Sequence, residues 1–289
     1  MKPTDPARIT VRPAQQRDIP AAGALIRPFV ARGELLPRTA EELAFFLPHA
    51  FVADLHGKAA GFAALEIYSR KLSEIQCLSF EETPQGQEIA MRLVRHCVHR
   101  AREHAVLEVM AVAATALEAV LKTCGFDYAL PNQKRAMFVR PQLVNEQSST
   151  DPPSTVPIGD AVIDDLPAVA EFLTPFVARG EVLHRSPKEL ARLLRDGFLA
   201  KAEGRIVGFV ALEIYSKKLA EIQCLSVDEA YRGQGIGRRL LMLSVQRARE
   251  NQVTETMAIT AHEELLTSCG FDFCLPGPKT ALFFRMGEE

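Results

Sequence analysis

The sequence predicts an α/β (α+β) fold with two tandem domains, each a mixed, mainly antiparallel sheet flanked by helices. Three observations lead to this prediction. The chain of 289 residues repeats itself once. Each repeat alternates short apolar runs with amphipathic stretches, as strands and helices do. A stretch rich in Ser, Thr and Pro separates the repeats and is typical of a linker.

The repeat is clearest where GFAALEIYSRKLSEIQCLS, which begins at Gly61, matches GFVALEIYSKKLAEIQCLS, which begins at Gly208. The two segments agree at sixteen of nineteen positions, with an offset of 147. Copies of about 145 residues are too long for a solenoid repeat, so each copy predicts a whole domain. We place the first domain at residues 1–142, the linker at 143–155 and the second domain at 156–289.

Composition excludes several classes of partner and site. Lys plus Arg total 34 and Asp plus Glu 36, which leaves no basic excess for nucleic acid. The N-terminus lacks an apolar signal core and no window is apolar enough for a membrane span, so we expect a cytoplasmic protein without a membrane partner. The six cysteines show no C-x-x-C or His/Cys ligand spacing, which favours reduced, mostly buried thiols and no metal.

Cap residues and apolar periodicity place the elements of the second repeat. After a short strand, a helix opens near Asp165-Leu166-Pro167, and another begins after Ser186-Pro187, because in each case a capping residue precedes a proline of the first turn. Two apolar runs around Glu203-Gly204 predict a hairpin. LAEIQCLSV predicts the next strand and GIGRRLLMLSVQRARENQ an amphipathic helix. ETMAITA, EELLTS, FDFCLP and TALFFRM then predict a strand, a helix and two terminal strands of the same domain.

A glycine-rich turn, YRGQGIGRR, joins the fourth strand to the third helix of the second repeat. Glycines at such a junction let backbone N–H groups converge on an anion at a helix N-terminus, and phosphate is the natural guest. The spacing is not a dinucleotide fingerprint, because Arg238 replaces the last glycine, and no Gly-Lys-Ser/Thr follows to make a P-loop. The turn does match Arg/Gln-x-x-Gly-x-Gly/Ala between a strand and an amphipathic helix.

This pattern, with CGF after a later short helix, resembles the GNAT superfamily of acetyl-coenzyme A dependent N-acetyltransferases over nearly all of the second repeat. The resemblance implies acetyl-CoA as co-substrate, with its pyrophosphate at the turn and its pantetheine arm on the preceding strand. The implied positions are Cys224, Leu225, Ser226 and Val227 on the strand, and Arg232, Gly233, Gln234, Gly235, Ile236, Gly237 and Arg238 at the turn.

The equivalent turn of the first repeat reads PQGQEIAMRLV. Glu88 puts a side chain and a negative charge where a backbone amide would face the pyrophosphate, and Gln85 removes the cation of Arg232. Gln85 and Ala90 both fit the family pattern, so the inference rests on Glu88. We expect the first domain to have lost, or greatly weakened, coenzyme binding and to be non-catalytic.

Further short identities point to one subgroup of this superfamily. In the second copy, segments such as PFVARGEVLHRSPKEL and the terminal FFR are similar to the acetyltransferase domain of bacterial N-acetylglutamate synthases, and the first copy carries related segments, such as PFVARGELLPRTAEEL. The resemblance implies that Arg185 and Arg285 bind glutamate carboxylates, that Glu221 is the general base and that His262 is the acid. Leu266 stands where many GNAT enzymes carry a tyrosine as the acid.

Elementary chemistry agrees with these roles. An amino acid carries an ammonium at neutral pH, and a carboxylate near the thioester can accept its proton before the amine attacks. Together with the two arginines, the resemblance implies acetyl transfer to a small acidic amino acid, with L-glutamate and arginine biosynthesis as the first hypothesis. The alternatives are that Glu221 pairs with Lys217 or Lys218, that both arginines form structural ion pairs, and that His262 only starts a helix.

Other functions stay open at this point. The acceptor could be another amino acid, an aminoglycoside or a protein N-terminus, or the whole protein could bind an amino acid or coenzyme without catalysis. The first repeat keeps Arg38, Glu74 and Arg140 at the positions of Arg185, Glu221 and Arg285. It could therefore be a regulatory amino-acid site or only a packing partner. We expect the two copies to pack on each other, and a homo-oligomer is open.

Overall fold

The computed structural model describes residues 9–130, 135–144, 155–260, 263–273 and 279–286, without the side chains of residues 115 and 116. The chain divides into two compact units. Unit 1 comprises Met1–Tyr128 together with Cys274–Glu289, and unit 2 comprises Ala129–Phe273.

The described residues of the first repeat form strands and helices in alternation. The strands are β1 (Thr10–Pro13), β2 (Ala50–Leu55), β3 (Lys58–Ile67), β4 (Leu72–Phe80), β5 (Glu108–Ala113) and β6 (Arg135–Val139). The helices are α1 (Ile19–Ala31), α2 (Ala40–Phe46), α3 (Gly86–Glu103) and α4 (Thr115–Thr123).

The described residues of the second repeat follow the same order. The strands are β7 (Ile158–Asp160), β8 (Gly197–Ala202), β9 (Arg205–Ile214), β10 (Leu219–Val227), β11 (Glu255–Thr260) and β12 (Thr280–Arg285). The helices are α5 (Leu166–Ala178), α6 (Pro187–Leu193), α7 (Ile236–Glu250) and α8 (Glu263–Ser268).

The local signals of the sequence act where they were expected. α6 starts behind a capping box, in which the Glu189 amide donates to Ser186 Oγ at 3.3 Å and the Ser186 amide donates to the Glu189 carboxylate at 2.8 Å. The hairpin between β8 and β9 turns at Glu203 and Gly204, whose φ values of 51° and 76° suit the tight two-residue turn.

The sheet of unit 2 has the order β6-β11-β10-β9-β8-β7. The β10–β11 pair is parallel and the other pairs are antiparallel, so the prediction of a mixed, mainly antiparallel sheet is confirmed. α7 provides the crossover that a parallel pair requires.

Helices cover both faces of the unit 2 sheet. On one face, Leu240 of α7 joins Leu212 and Ile222 in a buried cluster. On the other, Leu173 of α5 joins Phe209 in a second cluster with residues of α6. In β9, Phe209 and Ala211 enter one cluster and Val210 and Leu212 the other, because side chains alternate across a strand.

The terminal strands differ from the prediction. β12 was expected to complete the second domain, but it pairs with β5 in unit 1, where Phe283 lies opposite Met110. β6, from the first repeat, pairs with β11 in unit 2, where Phe138 lies opposite Met257. The unit boundaries therefore do not coincide with the predicted domain boundaries.

The physical reason is that the two strands, RAMFVR and TALFFR, have nearly the same pattern of apolar side chains. Either strand satisfies either sheet edge, so pattern alone cannot assign it. Of the predicted strand at FDFCLP, the structure describes one bridge, between Asp272 and Phe138, and residues 274–278 lie outside the described residues.

Unit 1 repeats the same architecture, with the sheet order β1-β2-β3-β4-β5-β12 and a parallel β4–β5 pair. The cysteines that the structure describes are all free and mostly buried, as expected: Cys77, Cys97, Cys124, Cys224 and Cys269. In the described part of the chain, no helix has the length and apolar character needed to cross a bilayer.

Candidate active site

The glycine turn, residues 232–237, lies between β10 and α7 and is held open by left-handed backbone. Gly233 and Gly235 have φ values of 75° and 74°, which favour glycine over any residue with a Cβ. A Cβ at Gly233 would meet nothing within 4 Å, so this side of the turn is open space. Gly235 caps α7, and the first-turn amides of that helix have no intrahelical carbonyl to bond. Their free N–H groups and the helix dipole favour an anion here.

Two arginines flank the turn. Arg232 is half exposed, and its Nε donates to the Val227 carbonyl at 3.2 Å. Arg238 donates to Ser268 Oγ at 2.9 Å. The turn thus combines backbone donors with two positive charges, and Gln234 is exposed between the two arginines.

β10, the strand before the turn, pairs with β11 only along its first half. β10 runs parallel to β11 from Leu219 to Ile222, and its pairing with β9 shifts register between Gln223 and Ser226. Cys224 lies in this bulge with a φ of 57°, an unusual value for a residue with a side chain. Beyond Ile222 the β11-facing edge of β10 has no described ladder, so an extended ligand could add to it as a strand does.

A polar cluster, here called the Gln223 network, lies where β9 and β10 meet the start of α6. Arg185 Nη2 donates to Gln223 Oε1 at 2.6 Å, and Tyr215 donates to Glu221 at 2.5 Å. The Gln223 amide nitrogen lies 2.8 Å from the Glu213 carboxylate and 3.1 Å from that of Glu221. The strands impose this grouping, because Glu213 and Glu221 are direct cross-strand partners.

The surroundings of Glu221 raise its pKa. Burial is the main cause, the neighbouring Glu213 adds to it, and the hydrogen bond from Tyr215 and the charge of Arg185 act in the opposite direction. A carboxylate with a raised pKa is a stronger base than a free glutamate. Burial also raises the pKa of the Cys224 thiol to about 11, so this thiol stays neutral.

Arg185 is a mostly buried cation whose hydrogen-bonding capacity is only partly used. Its side chain is only 15% exposed, and its nearest carboxylate, Glu189, lies 3.8 Å away. Burial lowers its pKa, but neighbouring groups, among them the carboxylates of Glu221 and Glu213, raise that pKa by more, and the guanidinium stays protonated. Its Nε is buried and donates to no acceptor among the described residues. Such a group suits a carboxylate ligand.

The structure brings together only some of the predicted residues. Glu221 and Arg185 share the Gln223 network, whereas Arg285 lies on β12 in unit 1, with its Nε 3.1 Å from Glu108. Arg140 occupies the equivalent position in unit 2. His262 lies outside the described residues. Leu266 is buried in the core and offers no acid.

The sequence prediction missed three members of the network: Glu213, Tyr215 and Gln223. A signal existed, because all three are identical in both repeats as Glu66, Tyr68 and Gln76. Lys217, offered as a structural partner of Glu221, instead donates to the Asn251 carbonyl at 3.0 Å, at the end of α7.

In unit 1 the equivalent turn is closed by helix. α3 begins at Gly86, the equivalent of Gly233, whereas α7 begins three residues later in the repeat. Glu88 lies in the first helical turn and accepts from Arg92 Nε at 3.0 Å. A Cβ at Gly86 would lie 2.6 Å from the Glu81 carbonyl, so this glycine serves close packing and leaves no open cradle.

No group of three or more His, Cys, Asp or Glu side chains that could hold a metal ion occurs in the described ranges.

Comparisons with known proteins agree with this geometry. The model of the Acetyltransferase (GNAT) family matches residues 25–126 and 169–271, one region in each repeat. An uncharacterized N-acetyltransferase of Chlorobaculum tepidum is 30% identical over 114 residues, which are 39% of this chain and 74% of that protein. The amino-acid acetyltransferase of Pasteurella multocida is 28% identical over 101 residues, which are 35% of this chain but only 23% of that enzyme. A crystal structure of a GCN5-related N-acetyltransferase from Sphaerobacter thermophilus shares the fold, with a TM-score of 0.53 at 18% identity over 99% of both chains.

Proposed function

Because the chain belongs to the Acetyltransferase (GNAT) family, we propose that unit 2 moves an acetyl group from acetyl-CoA to the amine of a small acidic amino acid, with L-glutamate as the first candidate. The observation that carries this proposal is the Gln223 network. It groups a mostly buried guanidinium and a carboxylate of raised pKa on β10, the strand that leads into the glycine turn.

The co-substrate fits the backbone of the second repeat. The left-handed Gly233 and Gly235 leave the turn open, and the α7 N-terminus and Arg232 supply positive charge for the pyrophosphate. The edge of β10 at residues 224–227 can hydrogen-bond an extended pantetheine arm. These are the positions that the family resemblance implies.

Glu221 then acts as the base. It accepts a proton from the substrate ammonium, directly or through water, and Tyr215 holds its carboxylate by a hydrogen bond. The neutral amine attacks the thioester carbonyl, so that a C–N bond forms and the C–S bond breaks, and the sulfur leaves as a thiolate that takes up a proton. His262 is the candidate acid for that proton, and it lies outside the described residues.

Arg185 binds one carboxylate of the acceptor. For the second carboxylate, the exchange of terminal strands favours Arg140 over Arg285, because β6 rather than β12 belongs to unit 2. Glu221 lies opposite Met257 and Met257 opposite Phe138, so Arg140, two residues after Phe138, shares the sheet face of Glu221. Two arginines on one side of the site suit a dicarboxylic amino acid.

The similarity to an amino-acid acetyltransferase supports the same acceptor class, although it spans only the 23% of that enzyme that matches this chain. With L-glutamate as acceptor, the product is N-acetylglutamate, in keeping with a role in arginine biosynthesis. A preference for glutamate over glutamine follows from the arginines, because a buried guanidinium left without its carboxylate costs about 2 kcal/mol or more.

The experiment is release of coenzyme A measured with each of the twenty amino acids, with an aminoglycoside and with a peptide N-terminus. We expect L-glutamate to exceed L-glutamine by more than about tenfold in kcat/KM. A preference for the cationic aminoglycoside would contradict the carboxylate clamp and favour another amine. Binding of acetyl-CoA without transfer to any acceptor would favour the non-catalytic alternative.

A further inference from the structure

Unit 1 contains a second copy of the polar network, here called the Gln76 network. Arg38 Nη2 donates to Gln76 Oε1 at 3.1 Å, and the Gln76 amide nitrogen lies 3.5 Å from the Tyr68 hydroxyl. Tyr68 donates to Glu74 at 2.5 Å, with Glu66 at 3.4 Å. The acceptor side of the site is thus kept, whereas α3 fills the place of the coenzyme turn.

The Gln76 network is looser than its counterpart in unit 2. The distance from arginine to glutamine is 3.1 Å for Arg38 and 2.6 Å for Arg185. Gln223 is buried and bridges two carboxylates, whereas Gln76 is partly exposed and the one described contact of its amide nitrogen is long. Longer bonds and an accessible amide leave hydrogen-bonding capacity for a guest.

Arg38, like Arg185, uses only part of its hydrogen-bonding capacity. Its side chain is 15% exposed, and within the described chain its Nε is buried and has no hydrogen-bond partner. The carboxylate of Glu42 lies 3.6 Å from Arg38 Nη1 but is half exposed. Burial raises the pKa of the neighbouring Cys77 thiol to about 11, so this thiol is neutral and supplies no counter-charge. A buried cation and donor in this state favour a carboxylate guest.

The other end of the network offers the opposite charge. Glu66 is buried and Glu74 partly buried, and both approach the Tyr68 hydroxyl. Carboxylates at one end and a guanidinium at the other match the ammonium and the carboxylate of a free amino acid. A unit that served only as packing would gain nothing from the Nε of Arg38, because a buried donor without an acceptor among the described residues destabilises a fold.

We infer that unit 1 binds a free α-amino acid at the Gln76 network and holds it without acetylating it. This inference takes only its ligand class from the proposed function of unit 2. It predicts that each chain binds two amino acids, one in each unit, but only one coenzyme, in unit 2.

The test is equilibrium dialysis of the full chain with radiolabelled L-glutamate, and separately with coenzyme A. We expect two glutamates per chain in the wild type, one in Arg38→Ala and one in the matched variant Arg185→Ala. Coenzyme A should bind once per chain in all three proteins, which also shows that unit 2 is folded. Arg38→Lys keeps the charge but loses the planar fork, and it should weaken the unit 1 site by about tenfold. Thermal shift with all twenty amino acids extends the search for the ligand.

The outcomes separate this inference from the proposed function. Binding that depends on Arg38, without any transfer to glutamate, supports the inference and removes glutamate as the acceptor of unit 2. Transfer to glutamate with a single bound glutamate, lost in Arg185→Ala and unchanged in Arg38→Ala, overturns the inference and leaves the function intact. A panel in which no amino acid binds in an Arg38-dependent way overturns it as well.

Discussion

The guanidinium of Arg140 lies 3.7 Å from the carboxylate of Glu255. Arg140 directly follows β6 of the first repeat, and Glu255 is the first residue of β11 in the second repeat, so this ion pair connects the two strands. Arg285 and Glu108 form the equivalent pair in unit 1 at 3.1 Å. The position in unit 2 where the sequence predicted Arg285 is thus occupied by Arg140 of the first repeat.

Arg140→Ala should raise the KM for L-glutamate by about tenfold or more, because a hydrogen bond to a charged group contributes roughly 1.5–3 kcal/mol. Arg285→Ala is the matched control and should leave the KM unchanged. Both side chains are more than half exposed, so loss of either ion pair should cost little stability. Steady-state kinetics checks the pair, and the reverse order of effects would return the assignment to Arg285.

The exchange of strands also predicts which fragment folds. Unit 2 is one continuous segment, residues 129–273, and it includes the buried side chains of Met137 and Val139 on β6. The fragment 156–289 follows the repeat boundaries but lacks both side chains. Removing large buried apolar groups costs about 2–5 kcal/mol each, and the edge of β11 is left open.

We therefore expect fragment 129–273 to melt cooperatively and to be stabilised by coenzyme A. Fragment 156–289 should melt at lower temperature and bind coenzyme weakly or not at all. Circular dichroism melts of the two fragments, with and without coenzyme, make the comparison. Equal stability and binding in both would mean that β12 can complete either sheet.

Most of the fold follows from local chemistry in the sequence. The proline and cap at Ser186, the Glu203-Gly204 turn and the apolar periods of α7 each act within a few residues, so the sequence predicted those elements correctly. The strand exchange was missed because it depends on a choice between two sheet edges that RAMFVR and TALFFR fit equally well.

In the candidate site, too, the features that depend on local sequence were predicted and those that depend on contacts between distant residues were missed. The glycine turn was predicted because φ values above zero favour glycine, and that preference is visible in a sequence. The Gln223 network was predicted only in part. Gln223 and Tyr215 are ordinary strand residues, and their role depends on cross-strand register and on the approach of Arg185, which periodicity does not encode.

Gly235→Glu should abolish coenzyme binding. The left-handed φ of 74° costs a glutamate roughly 1–2 kcal/mol, and its carboxylate would face the pyrophosphate at the helix N-terminus. Gly237→Ala is the control, because a Cβ there would lie 3.5 Å from Leu265, an ordinary contact. Isothermal titration should give one site in the control and none in Gly235→Glu. Unchanged affinity in Gly235→Glu would remove the turn from the coenzyme site.

Glu221→Gln should lower kcat by about 10²-fold at neutral pH, the usual range for a positioned base. The deficit should shrink as pH rises, since more of the substrate amine is then neutral without help. Folding raises the pKa of Glu221, so its charged form is disfavoured in the folded state and its contribution to stability is lost as pH rises through the folded pKa. The variant should therefore melt no lower than the wild type at pH values above that pKa, which excludes unfolding as the cause of lost activity. A wild-type rate at pH 7 would leave Glu221 a structural residue.

Tyr215→Phe tests the same base through its neighbour. The Tyr215 hydroxyl donates to Glu221 and lowers the pKa of that carboxyl, so its removal should raise this pKa further. A protonated carboxyl cannot accept the substrate's proton, and kcat/KM falls as pH drops through the pKa of Glu221. The acidic limb of the pH profile should therefore move to higher pH in Tyr215→Phe. Tyr68→Phe removes the equivalent hydroxyl in unit 1 and should leave the profile where it is. If both variants kept the wild-type profile, another group would have to be the base, because the hydrogen bond from Tyr215 would then have no influence on the step that limits the rate at low pH.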